Sequence, residues 1–362
     1  MIFLYEPDLA GREREYLLDA FDSSWISSRG EYVDRFEAAI AQYTKSAHAA
    51  AVANGTAALH LSLHALNIGP GDEVIAPTFT YIASINAIVQ TGATPVLVDS
   101  NEADWQASVD AIEAAITPRT RCIMPVHLYG GACDMARICE LAARHGLYVV
   151  EDCAEALGTA VDGRHLGAFG HIGAFSFYGN KVITTGEGGA VVTQDPELHR
   201  RLVLLKGQGQ DPTRRYWHVE LGFNYRMTNL AAAIGLAQIE RIDSILARKR
   251  QIAAMYRDIL ANFDLRFPTR ADGVESSEWL VSLLVPKSRD RDQIMARMAA
   301  DGVETRPAFF CAHEMPHYRH LPINAPIAES LARRGISLPS YPTLTQADIE
   351  KVTSSLLRAI GA

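Results

Sequence analysis

Apolar positions along this chain follow two alternating periods. From Glu31 to Tyr43, Val33, Phe36, Ile40 and Tyr43 recur at helical spacing. Further helices are predicted over about 11–22, 56–66, 81–90, 108–115, 134–145 and 195–204. Ser108 is a ready N-cap, and Gly146 a ready helix end. Between the helices lie short apolar runs, at 49–52, 73–76, 94–98, 121–128, 147–151, 172–178 and 189–193. Such runs read as buried strands. Alternation of this kind predicts an α/β chain with a parallel or mixed sheet and helices on both faces. Sites in such sheets lie beyond the carboxyl ends of the strands.

The pattern changes in the last third. A long amphipathic helix is predicted over 238–262, carried by Ile239, Ile242, Leu246, Ile252 and Ile259. After it come a strand at 278–286, a helix at 291–301, a strand at 303–308, a loop around 313–316, a helix at 325–333 and a final helix from Gln346. This predicts a large α/β domain over 1–240, with an N-terminal arm, and a smaller α+β domain over 241–362.

Composition narrows the partners. The 362 residues are 48% hydrophobic and 21% charged, an ordinary globular balance. The net charge is −8 and no basic block occurs, which argues against nucleic acid and anionic membranes as partners. The five cysteines lack metal-type spacing, so no metal site and no disulfide framework is expected. The opening residues MIFLYEPDLAGRERE show no leader pattern, and no apolar run is long enough to cross a bilayer. A cytoplasmic location is the expectation.

The richest stretch runs from Val149 to Val192. One strand closes on Asp152, and a Gly-Asn turn after the next strand presents Lys181. Pyridoxal phosphate needs a lysine for its Schiff base and a carboxylate to keep its pyridine nitrogen protonated. The plain alternative is a solvated turn lysine and a strand-end aspartate. Asn54-Gly55-Thr56-Ala57 opens a helix after a strand, where backbone N–H groups and a hydroxyl can meet a phosphate. An ordinary N-cap explains the same residues. Tyr81 could stack on a flat ring or belong to the core. Trp25 to Gly30 reads as a pinned loop or the lip of a pocket. The patch Ala231 to Gly235 suits close packing.

Together the segments WISSRGEY, PTFTYIASINAI, EDCAEALG, SFYGNKVITTGEGG and YWHVELGFNYRMTNL resemble the DegT/DnrJ/StrS family of pyridoxal-phosphate sugar aminotransferases. The resemblance spans nearly the whole chain and implies the aspartate aminotransferase-like fold, type I. It implies transfer of the amino group of L-glutamate to C4 of a 4-keto-6-deoxy nucleotide sugar. GDP-4-keto-6-deoxy-D-mannose, giving GDP-perosamine, is the leading substrate; dTDP- or UDP-linked ketosugars are the alternatives. Amino sugars of O-antigen or glycosylated natural products are the products this suggests.

By resemblance, Lys181 is the Schiff-base lysine and Asp152 the partner of the ring nitrogen. Tyr81 is the stacking aromatic, and Thr56, Ala57 and Ser176 hold the phosphate. Asn224 reaches the phosphate of a neighbouring subunit, which implies a homodimer with shared sites, or a tetramer of such dimers. Glu155 stands where many members have glutamine beside the cofactor's 3′-oxygen. A carboxylate there requires a shared proton or another donor. Ser27, Ser28, Gly30, His218, Arg226, Arg306 and His313 fall where nucleotide-sugar contacts cluster. Gly131-Ala132 and Glu220 depart from the expected pattern and bear on the choice of sugar. Related 3-dehydratases of GDP-4-keto-6-deoxymannose carry histidine in place of the lysine, so Lys181 argues against that reaction.

Overall fold

The computed structural model describes residues 1–361. In chain order the first half comprises α1 Glu13–Asp22, α2 Glu31–Thr44, β1 His48–Val52, α3 Gly55–Ala65, β2 Glu73–Pro77, α4 Ala83–Gln90, β3 Thr94–Val98, α5 Val109–Ala114, β4 Thr120–Ile123, α6 Met135–His145 and β5 Tyr148–Asp152. Next come β6 Ala160–Val161, β7 Arg164–His165, β8 Ile172–Ser176, β9 Gly189–Thr193, α7 Pro196–Lys206, α8 Asn229–Ile239 and α9 Ile242–Leu260. The remainder holds β10 Val274–Glu275, β11 Val281–Leu284, α10 Arg291–Ala300, β12 Arg306–Pro307, α11 Pro326–Arg334, β13 Gly335–Leu338 and α12 Gln346–Ile360.

Seven strands form the central sheet in the order β1-β9-β8-β5-β4-β2-β3. β9 runs antiparallel to both neighbours, and every other pairing in this sheet is parallel. Side chains alternate across the sheet, as a strand period of two requires. Val149 of β5 faces a core shared with Phe36, Ile138 and Ala233, on α2, α6 and α8. Val150 faces the opposite core, shared with Leu59, Ile85 and Leu202, on α3, α4 and α7. Burial on both faces is why these strands read as near-continuous apolar runs.

A third core gathers Ile252 and Tyr256 of α9, Leu283 of β11, Met298 of α10, Ile336 of β13 and Val352 of α12. Its antiparallel sheet has the order β11-β13-β12. Ile2 packs into this core and bridges Val303, so the N-terminal arm ties the third core to the first, which receives Leu4. No helix among the described residues is long and apolar enough to cross a membrane.

Several boundaries differ from the sequence reading. The strand expected over 121–128 ends at Ile123, two residues before Pro125, which has no N–H for the ladder. The strand expected from Glu278 begins at Val281, because Glu278 adopts a left-handed φ of 49°. The helix placed over 238–262 begins at Ile242; Arg241 (φ −120°, ψ 14°) separates it from α8. The strand placed over 303–308 shrinks to β12. β13 was missed: its polar Ser337 lies buried against Ser282, with 2.8 Å between the hydroxyls, which breaks the apolar run. The small sheet β10-β6-β7 was missed because two-residue strands leave no periodic signal.

Candidate active site

A cavity of about 970 Å³ opens where β5 and β8 end and α3 begins. β5 delivers Asp152 to its wall, and the turn after β8 delivers Lys181. Asp152 is buried. The Ser84 hydroxyl donates to its Oδ2 at 2.7 Å, and the Ala154 N–H to its Oδ1 at 3.1 Å. Burial pushes this carboxyl above the usual aspartate range; the Ser84 and Ala154 donors and the Lys181 and His127 charges pull against that shift.

Lys181 sits in the turn behind Asn180. Its backbone N–H donates to Tyr178 O at 2.9 Å, and the Tyr5 hydroxyl donates to its carbonyl. Desolvation lowers the ammonium's pKa, and the negative charges of Glu155 and Asp152 oppose the drop. A half-buried amine held this way releases its proton more readily than a fully solvated lysine.

Glu155 is buried, and its Oε2 accepts from the Tyr129 N–H at 2.9 Å. Burial raises its pKa to about 7, against the pull of Lys181 and the Tyr129 N–H. The side chain thus has another donor and, near neutrality, a proton to share.

At the start of α3 the Asn54 side chain accepts from the Ala57 N–H at 2.8 Å. The first amides of a helix have no intrahelical acceptor and carry its positive end. Gly55 is required by close approach: a Cβ there would lie 2.7 Å from Ser176 Cβ. The Ser176 hydroxyl is thereby brought against the helix start, and Thr56 lines the same wall. Helix amides and two hydroxyls make an anion site.

Of the expected site residues, Thr56, Ala57, Tyr81, Asp152, Glu155, Ser176, Lys181 and Arg306 line this one cavity. Tyr81 is 59% exposed and lies 5.8 Å, centroid to centroid, from Phe309. The others stand outside it within this chain. Asn224 is exposed and bridges Gly207. His218 is exposed and bonded through Nδ1 to Gln208 O at 2.9 Å. Arg226 bridges Val52, and its Nε is buried without a partner among the described residues. His313 faces Thr78 through Nδ1 at 2.8 Å and Glu329 through Nε2 at 3.5 Å, so both ring nitrogens are engaged away from the cavity. Ser27, Ser28 and Gly30 form a lip held by Asn229. Its amide NH₂ donates to Trp25 O at 2.7 Å, and its backbone N–H to Ser27 O at 2.6 Å.

Sequence reasoning missed four residues of the site. Ser84 lies three positions after Tyr81, in the first turn of α4, and that spacing could have revealed it. Tyr129, Trp279 and Phe309 come from distant segments and stack with one another. Aromatics of this kind carry no local signal that separates them from core.

The model of the DegT/DnrJ/EryC1/StrS aminotransferase family matches residues 7–357. The GDP-perosamine synthase of Escherichia coli O157:H7 is 48% identical over 353 residues, 98% of this chain and 97% of its own. That of Vibrio cholerae is 46% identical over 360 residues, 98% of each. A Streptococcus pneumoniae protein solved in its PLP form superposes with a TM-score of 0.94 at 27% identity, covering 99% of this chain and 98% of that one.

Proposed function

The chain belongs to the DegT/DnrJ/EryC1/StrS aminotransferase family, and on that premise we propose that it moves the amino group of L-glutamate to C4 of GDP-4-keto-6-deoxy-D-mannose, giving GDP-perosamine. It is a pyridoxal-phosphate enzyme, and its cavity suits that group. An anion site, a buried carboxylate and a half-buried amine border one space of about 970 Å³. The Gly55 cradle, which any larger residue would fill, leaves the anion site open.

The α3 amides, Thr56 and Ser176 would hold the phosphate, Asp152 the ring nitrogen, and Tyr81 the ring face. When bound, the cofactor supplies an electron sink for the carbon that loses its proton. Asp152, held by Ser84 and Ala154, would pair with the ring nitrogen and keep it protonated. Lys181 Nζ takes the proton from Cα of the amino donor and later returns one at C4 of the sugar. Its lowered pKa eases release of the ammonium proton relative to a surface lysine. Glu155 buffers a proton beside Lys181. Arg306, 53% exposed at its side chain and 3.4 Å from Glu304, would meet an anionic substrate.

Asn224, His218 and Arg226 stand outside their own chain's cavity. We assign them, with the lip at Ser27, Ser28 and Gly30, to the site of a second copy in a homodimer. His313 is assigned a structural role beside Thr78 and Glu329. The division into 1–240 and 241–362 is proposed on the third core, to which α9, β11, α10, β13 and α12 contribute, with Ile2 from the arm.

The observation that carries this reading is the convergence of Asp152 and Lys181 on one cavity at the start of α3. The test is turnover of GDP-4-keto-6-deoxy-D-mannose with L-glutamate, with dTDP- and UDP-linked ketosugars alongside. Lys181→Ala is expected to abolish turnover. A Lys181→Ala protein that still aminates the ketosugar would refute the assignment, and preference for another nucleotide would correct the substrate.

A further inference from the structure

We propose that the indole face of Trp279 is the resting seat of the Lys181 ammonium whenever that lysine is not bonded to the cofactor. The proposal rests on the reading of Lys181 as the reactive lysine. Lys181 Nζ lies 4.2 Å from the centroid of the Trp279 ring. Among the described residues no carboxylate oxygen lies within 4.0 Å of that ammonium. A desolvated cation needs a partner, and the face of a tryptophan is the strongest aromatic one.

The ring is held to that position from every side. Its N–H donates to Asn180 O at 2.6 Å, so the same side chain fixes the backbone immediately before Lys181. Its ring stacks on Tyr129 at 5.9 Å and 25°, and Tyr129 stacks on Phe309 at 5.3 Å and 24°. The preceding residue, Glu278, holds a left-handed φ of 49°. Non-glycine residues keep that conformation only where the surroundings over-determine it. Here Glu278 pairs with Arg257 at 2.8 Å and with Arg270 at 3.7 Å. Its backbone is seated on Gly130, where a Cβ would lie 2.6 Å from Glu278 N. Trp279 itself is 3% exposed.

A ring quadrupole attracts an ammonium and not a neutral amine. The seat therefore retains protonated Lys181 and lets it go when the proton leaves. The amine then turns from the indole face into the middle of the cavity as the free base, the form that attacks and abstracts. Trp279 is in this sense a positioning residue, acting through Lys181. The other charged groups facing this space are Asp152 at the end of β5, Glu155 three residues beyond it, Glu187 before β9 and Arg306 on β12.

The test uses the full-length enzyme loaded with pyridoxamine phosphate, in which Lys181 is free. Competitive labelling with an amine reagent across pH, read by mass spectrometry on the Lys181 peptide, gives the proportion of free amine. Trp279→Phe keeps a ring face and is expected to stay within about twofold of the parent. Trp279→Leu is expected to raise the free-amine fraction below the midpoint by roughly 2- to 30-fold. Fluorinated tryptophan weakens the face without changing its shape, and guards against a Trp279→Leu protein that does not fold. The other tryptophans, Trp25, Trp105 and Trp217, are not the ring beneath Lys181. A labelling profile unmoved by both fluorination and Trp279→Leu overturns the proposal. Borohydride reduction of the pyridoxal-phosphate form reports separately on the underlying reading. Cofactor fixed to any lysine other than Lys181 refutes that reading, whatever Trp279 does.

Discussion

Replacing Lys249 with methionine tests how the third core is joined to the first. Lys249 is fully buried on α9. Its Nζ donates to Ser340 O at 2.8 Å and lies 5.5 Å from the Tyr5 ring centroid. Burial lowers its pKa from 10.5 to about 7, against the attraction of Glu278. The sign follows from proton counts. Between pH 7 and 10.5 the unfolded chain carries this proton and the native chain releases it, so stability rises with pH across that window. Below pH 7 both states are protonated, and the native state bears the full penalty of a buried cation. At about 1.4 kcal/mol per pH unit between the two values, that penalty is about 4–5 kcal/mol. Methionine removes the charge at similar length but leaves Ser340 O unpaired, which costs about 1–3 kcal/mol. Lys249→Met is therefore expected to be more stable than the parent at pH 7, by about 1–4 kcal/mol, and to lose that advantage by pH 10.5. The assay is denaturant unfolding of both proteins at several pH values, with cofactor content matched. Groups common to the two proteins cancel in the difference. A difference constant from pH 7 to 10.5 would refute the reasoning.

Three further outcomes are expected. Glu155, raised to about 7, binds its proton more tightly in the native state, so its contribution to stability is lost as pH rises from 4.5 through 7. Glu155→Gln should flatten that part of the stability profile, read by thermal melts of matched samples; an unchanged slope would show that Glu155 is ionised throughout. Ser84→Ala removes the donor to Asp152 Oδ2 and should weaken pyridoxal phosphate binding by about tenfold or more, measured by titrating the visible band. Binding equal to the parent would free Ser84 from any role. Gly30→Ala places a Cβ 2.3 Å from Asn229 Cγ at a φ of +149°, and should lower the melting temperature by about 2–6 °C while loosening the Trp25–Gly30 lip. An unshifted melt would mean that the lip yields without loss.

Much of this protein is written in its local patterns. The parallel strands are legible because burial on both faces demands unbroken apolar runs, as at Val149 and Val150. Asp152 and Lys181 are legible because each ends or follows such a run, where a parallel sheet opens its site. The start of α3 announces itself through Asn54 and Gly55. Other features exist only once the chain has closed. Trp279 lies 98 positions from Lys181, and the indole bond to Asn180 spans 99. Tyr129 reaches Glu155 through a backbone N–H, which no side-chain motif encodes. The left-handed φ of Glu278 is imposed by Gly130 and two arginines from other segments. The fall in the Lys249 pKa follows from enclosure alone, since a lysine on an amphipathic helix reads as solvated until both cores are packed around it. Periodicity and strand-end chemistry are properties of neighbours along the chain, and the sequence determines them directly. Desolvation, stacking and strain are properties of neighbours in space, and only the tertiary structure decides them.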